Sequence, residues 1–261
     1  MNCTHAIDGY RLVTRVPTAD PPREWTPFAV VRYAETMTES IHAAFGPFFE
    51  VEIHDADDHV EEGWLTMTAA LLDDTVLTDR VERVRRALGV GATGTVHERA
   101  AASVTHLGLV ARLIAPSLGA AVSGTTVSLK PDHVWWRDEL GGPFPLSVVL
   151  LGAVDTKPGA VDVDLGAVGE LSAWFARRYP LSMRVLGGNV ASAINSAARM
   201  IGMAVPDLAD AALLHADRFL AHPDIEGGQL RAGPAFRRRS CCLIYQVSGD
   251  RTAVCGDCVL A

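Results

Sequence analysis

Arg238-Arg239-Ser240-Cys241-Cys242-Leu243-Ile244-Tyr245 is followed, after an interval of twelve residues from Cys242, by Cys255-Gly256-Asp257-Cys258. These two short strings hold four of the five cysteines of a 261-residue chain; the fifth, Cys3, stands at the opposite end and reads as a free thiol. A C-x-x-C pair turns two thiolates onto one metal ion. Adjacent cysteines are less usual, because neighbouring side chains on extended backbone point apart and converge only where the chain turns. Two metal atoms a few Å apart accommodate such a pair more easily than one. Four cysteines also match the ligand requirement of a [2Fe–2S] centre. On spacing alone a structural zinc stays open beside it.

Composition sets the frame for the rest. The chain is 49% hydrophobic and 21% charged, enough apolar content for a proper core. Its formal charge of −8 disfavours non-specific nucleic-acid binding, which needs a basic surface. The only basic cluster is Arg237-Arg238-Arg239, directly ahead of the cysteines. No apolar run reaches the roughly 20 residues of a membrane span, and the first residues lack a signal-peptide pattern. A cytoplasmic location is therefore expected. In that reducing compartment clustered cysteines favour metal or redox chemistry over disulfides.

Periodicity predicts an α+β fold, mostly helical, with a small central antiparallel sheet and a C-terminal cysteine-ligated iron–sulfur segment. Residues 1–30, with four prolines, read as an irregular lead-in, and Ala34 to Phe45 as a short helix. Asp74 to Leu88 places Val76, Leu77, Val81, Val84 and Leu88 at helical spacing, with charges between them. Gly89, Gly91 and Gly94 read as its end and a hinge. Val96 to Leu113 predicts a buried helix interrupted near Pro116 and Gly119. The runs Thr125–Leu129, Val134–Trp136 and Phe144–Leu151 predict three antiparallel strands. Helices are expected over Val168–Tyr179, Ser182–Met203 and Pro206–Leu220. The division expected is a scaffold, 1–230, that docks a ligand, and a cluster-binding segment, 231–261.

The terminal strings resemble the signature of FhuF-type ferric siderophore reductases, an R-R-x-C-C-L-x-Y segment followed by C-G-D-C. Upstream, Gly187-Gly188-Asn189-Val190-Ala191-Ser192 resembles that family's W-G-N-x-A-S segment, with Gly187 where tryptophan is usual. Gly63-Trp64 and the stretch from Leu113 to Gly124 fit its layout. The interval between cysteine pairs is twelve residues where about ten is typical, which implies a longer hairpin around Ser248-Gly249-Asp250. The resemblance implies that Cys241, Cys242, Cys255 and Cys258 hold one [2Fe–2S] cluster. It implies one-electron reduction of Fe(III) held by a siderophore, which loosens hard oxygen ligands from the metal. Arg237, Arg238 and Arg239 are candidates to offset the cluster's negative charge or to dock a partner. The acidic body favours a hydroxamate chelate. Other uses of such a cluster, in electron transfer or a biosynthetic redox step, and a zinc-stabilised binding protein are the alternatives.

Other features carry less. His54 and His59, with Asp55, Asp57 and Asp58, read as a solvated polar loop rather than a metal site. His106 reads as a core histidine bonded to backbone, and His97 lies nine residues away on the same helix. Trp135 and Trp136 should alternate, one ring in and one out. Asn189 and Asn195 read as buried structural residues. Gly89-Val90-Gly91-Ala92-Thr93-Gly94 spells G-x-G-x-x-G but follows a helix, so a dinucleotide fold is rejected. An external electron donor, such as a ferredoxin or a flavin reductase, is then required.

Overall fold

The computed structural model describes residues 43–90, 95–153, 165–248 and 255–260. Cys3, the proline-rich lead-in, most of the Ala34–Phe45 segment, Gly91 to Gly94 and Gly249-Asp250 lie outside them. The described elements are β1 (Glu52–His54), β2 (Leu65–Thr66), α1 (Met67–Leu72), α2 (Asp74–Gly89), α3 (Glu98–Val122), β3 (Thr125–Val127), β4 (Val134–Trp136) and β5 (Leu146–Ala153). They continue with α4 (Gly166–Arg178), α5 (Met183–Ala204), α6 (Ala209–Leu220) and α7 (Tyr245–Ser248).

Helix α3 is the axis of the molecule. Its alanines, leucines and small residues are buried over nearly its whole length, and α5 lies along it. By length and composition α3 could cross a membrane, but most of its apolar window is packed inside the protein. The expected break at Pro116 does not occur. Proline costs a helix about 3 kcal/mol through a lost hydrogen bond and a clash one turn back. Here Leu113, Ile114, Leu118 and Ala120, all fully buried, hold both sides of the position in place. Ser117 Oγ adds a bond on the same turn, donating to the Leu113 carbonyl at 2.9 Å.

The remaining helices start where local chemistry allows. Thr66 caps α1 through the Ala69 amide, and Asp73 caps α2 through the Thr75 amide. Ser182 caps α5 through the Val185 amide. Pro206 opens a 3₁₀ turn, Pro206–Leu208, that leads into α6.

The sheet is mixed, not antiparallel. Strand β5 is its spine: β4 and β3 run antiparallel to it, while β1 runs parallel, with Ile53 opposite Val148. The parallel member ends in the stretch read as a polar loop. Three residues, Glu52-Ile53-His54, are too few to show an alternation. His54 is fixed by a 2.8 Å hydrogen bond to Ser147 Oγ and by stacking on Trp135 at 3.7 Å between ring centroids. Consequently Trp135 is covered by His54 and both tryptophans are buried, not one.

A buried arginine joins the layers. Arg112 of α3 donates to the carbonyls of Phe144 and Phe48 at 2.9 Å each, and to that of Glu50. Burial draws its guanidinium down to about 10, well below the usual arginine range.

Candidate iron–sulfur site

One face of α5 receives the C-terminal segment. Gly188, Asn189, Ser192 and Asn195 recur at helical spacing, and each meets the tail. A Cβ on Gly188 would stand 2.0 Å from Ser240 Oγ and 3.0 Å from a Glu226 carboxylate oxygen, so glycine leaves the space that these side chains occupy. Asn189 Oδ1 accepts from Arg238 Nη2 at 2.7 Å. Ser192 Oγ donates to the Asp257 carboxylate. Asn195 Oδ1 accepts from the Gly233 amide at 2.8 Å. Ser240 Oγ returns a bond to the Arg184 carbonyl at 2.9 Å. The G-N-x-A-S stretch is thus the seat of the cysteine segment. A side chain at Gly187 would meet the Asp224 carbonyl at 3.3 Å, so the loop after α6 is packed against this position.

Asn189 is itself held from behind. Its Nδ2 donates to the Ser103 carbonyl at 3.0 Å and lies 3.3 Å from His106 Nδ1. His106 Nε2 lies 3.0 Å from Ser172 Oγ, whose own proton goes to the Val168 carbonyl. With Ser172 as acceptor, Nε2 carries the proton and Nδ1 accepts from Asn189. His106 therefore bonds side chains of two other helices, not the backbone. Burial, and secondarily the Arg238 charge, lowers its pKa to about 3, so the ring is neutral.

The three arginines divide. Arg237 is exposed and reaches its neighbour's carbonyl. Arg239 is exposed and ties down the loop through Glu226 and Gln229. Arg238 is buried at 1% exposure, with Nε on the Ser240 carbonyl at 2.6 Å and Nη2 on Asn189. Among the described residues its Nη1 has no hydrogen-bond partner, and the guanidinium makes no ion pair. A buried cation of this kind calls for an anion.

The sulfurs supply the place for one. Cys242 and Cys255 Sγ are 3.7 Å apart. Two thiolates bound to one tetrahedral metal at ~2.3 Å stand ~3.8 Å apart by the same geometry. Cys241 and Cys258 interact as the second pair. Leu243 makes this possible: with φ +68 it takes a left-handed turn that re-aims the chain immediately after the adjacent cysteines. The Leu243 amide then donates to Cys241 Sγ at 3.3 Å, and the Leu260 amide to Cys258 Sγ at 3.4 Å. Among the described residues no three His, Cys, Asp or Glu side chains converge on one point, the His54–His59 stretch and the cysteines included. Cys242 with Cys255 and Cys241 with Cys258 are the close contacts among the four sulfurs.

Charge follows the same pattern. The hydrogen bond from Cys255 draws the Cys242 thiol down to about 6 against the opposing effect of burial, helped by the Ile244 amide and Arg238. Cys255, as donor to Cys242, is pushed up, and burial and Asp257 add to this. Cys241 is raised by burial. A metal ion binds such sulfurs as thiolates and displaces their protons.

Residues 238–260 match the family model described as the FhuF 2Fe-2S C-terminal domain. The chain carries a FhuF-type [2Fe–2S] domain at its C-terminus. No curated protein and no solved structure matches the chain. The cofactor of this FhuF-type segment is a [2Fe–2S] cluster. The donor set fits it: two thiol pairs, amide hydrogens on two of the sulfurs, and a buried guanidinium with an N–H left to donate.

Proposed function

We propose that this protein is a cytoplasmic ferric siderophore reductase, in which Cys241, Cys242, Cys255 and Cys258 ligate the cluster. The observation that carries the reading is the match of residues 238–260 to the FhuF 2Fe-2S domain, a family associated with siderophore–iron reduction. When bound, the [2Fe–2S] cluster supplies one electron at a time.

The chain's own residues set the conditions for that transfer. The Leu243 and Leu260 amides and the Arg238 guanidinium favour added negative charge near the sulfurs, which raises the reduction potential. Asn189, locked by Ser103 and His106, keeps Arg238 from swinging out to solvent. Ser192 holds Asp257 and with it the turn between Cys255 and Cys258. In the substrate, Fe(III) becomes Fe(II) by accepting the electron, and each anionic oxygen donor released from iron takes a proton from solvent, while neutral carbonyl donors take none. No residue need act as a general acid.

In this reading residues 1–230 present the chelate and 231–261 carry the electron, which a ferredoxin or flavin reductase supplies. The test is anaerobic. Photoreduced protein is mixed with a ferric hydroxamate and an Fe(II) trap; one Fe(II) should be trapped for each protein reoxidised. Protein that stays reduced in the presence of ferric chelates, with no Fe(II) trapped, contradicts the proposal.

A further inference from the structure

Asp224-Ile225-Glu226-Gly227-Gly228 follows α6 and lies over the Gly187-Gly188 turn of α5. Glu226, Gly227 and Gly228 take left-handed backbone in succession, with φ +46, +78 and +68. At Gly228 only glycine fits, since a Cβ would stand 2.6 Å from the Ala221 carbonyl oxygen. Glutamate is a poor residue for the first of the three, because its Cβ crowds the following carbonyl. Residues other than glycine persist in this conformation where surrounding contacts over-determine them. Here the contacts belong to the Glu226 carboxylate and to the cysteine-bearing segment.

Three consecutive residues lead into Cys241, and they are tied to two different elements. Arg238 is held by Asn189 and Ser240 by the Arg184 carbonyl, both on α5. Arg239, between them, is held by the loop. Its amide donates to Glu226 Oε2 at 2.9 Å, its Nη1 to the Glu226 carbonyl at 3.1 Å and its Nη2 to Gln229 Oε1 at 3.2 Å. The other carboxylate oxygen, Oε1, is buried over Gly188. One side chain therefore reaches from the surface of α5 to the backbone two residues ahead of Cys241. A hydrogen bond from an amide to a carboxylate is among the stronger kinds. The Arg239 bonds are also the solvent-exposed ones of the set, and exposed bonds open before buried ones. Cys242 and Cys258 are each 1% exposed, so iron and sulfide reach or leave these sulfurs when the segment lifts.

We infer that Glu226 is a latch, a positioning residue that holds residues 238–240 closed on α5 and so sets how fast the cluster enters and leaves. The inference rests on the four-cysteine ligation proposed above and not on the choice of substrate. Two rates test it, followed anaerobically by visible absorbance: cluster loss from the holoprotein to excess EDTA, and cluster uptake by the apoprotein from ferrous iron and sulfide. Glu226→Ala should speed both by about tenfold, the scale of one hydrogen bond to a charged group. Glu226→Gln keeps an oxygen that accepts from the Arg239 amide, and should stay within about threefold of wild type. Glu226→Gly suits the left-handed backbone but lacks the carboxylate, and should match the alanine variant. Arg112→Met, remote from the segment, should lower the urea midpoint and leave both rates near wild type. Wild-type rates in the alanine variant overturn the latch. Wild-type rates in the glycine variant alone assign the effect to the backbone turn and overturn the role of the carboxylate. Faster loss with slower uptake marks a general loss of structure and also overturns it. A wild-type protein that takes up no [2Fe–2S] cluster overturns the ligation reading, and the latch with it.

Discussion

His106 gives the residue-scale account its clearest handle. Its folded pKa, about 3, lies below the ordinary 6.5, so the unfolded chain takes up the proton first. Its contribution to stability is therefore whole above pH 6.5 and is lost progressively as pH falls towards 3. Urea midpoints should drop between about pH 7 and pH 4.5. His106→Asn should be less stable at neutral pH by about 1–3 kcal/mol, through broken buried hydrogen bonds, yet show a shallower fall over that interval. Equal slopes would show that some other group titrates. Arg238 makes a second prediction. Arg238→Gln removes the buried charge beside Cys242 and should lower the midpoint potential in an EPR redox titration, while Arg237→Gln should leave it unmoved. The sequence displayed three arginines as equals. Only the fold separates them, because burial of Arg238 depends on Asn189, a residue forty-nine positions away. His106 was legible as a core histidine, but its partners come from two other helices and no local pattern could name them.

At the scale of elements, α5 decides whether the tail seats. Gly188→Val drives a side chain into Ser240 and should cost about 1–3 kcal/mol, the range for overpacking. The expected outcome is a folded protein with lower cluster occupancy by absorbance and altered proteolysis of the tail; full occupancy would mean the tail finds another seat. Arg112 plays the corresponding part between α3 and the sheet. Arg112→Met removes the donor from the buried Phe144 carbonyl and from the partly buried Phe48 and Glu50 carbonyls, and should destabilise by about 1–3 kcal/mol in chemical denaturation. The long helices were legible because their periodicity runs over many turns. The parallel strand was not, since β1 has three residues and its pairing with β5 is set by contacts almost a hundred positions apart. Pro116 misled for a different reason: packing on both sides outweighs a single lost hydrogen bond.

For the whole molecule, the cysteine-bearing segment was already visible in the terminal strings, since their chemistry is written in consecutive residues. What the sequence concealed is how the end is joined to the body. Leu243, in a left-handed turn, brings the adjacent cysteines around, and the G-N-x-A-S face of α5 receives them. The central claim is that the four sulfurs hold a dinuclear iron–sulfur centre. Metal and sulfide analysis of anaerobically purified protein, with EPR after dithionite, tests it most directly. The account predicts iron and acid-labile sulfide in equal amounts and an EPR signal that appears on reduction. It also predicts that this signal is bleached or greatly weakened in Cys255→Ser. A colourless protein with stoichiometric zinc and no labile sulfide would contradict it.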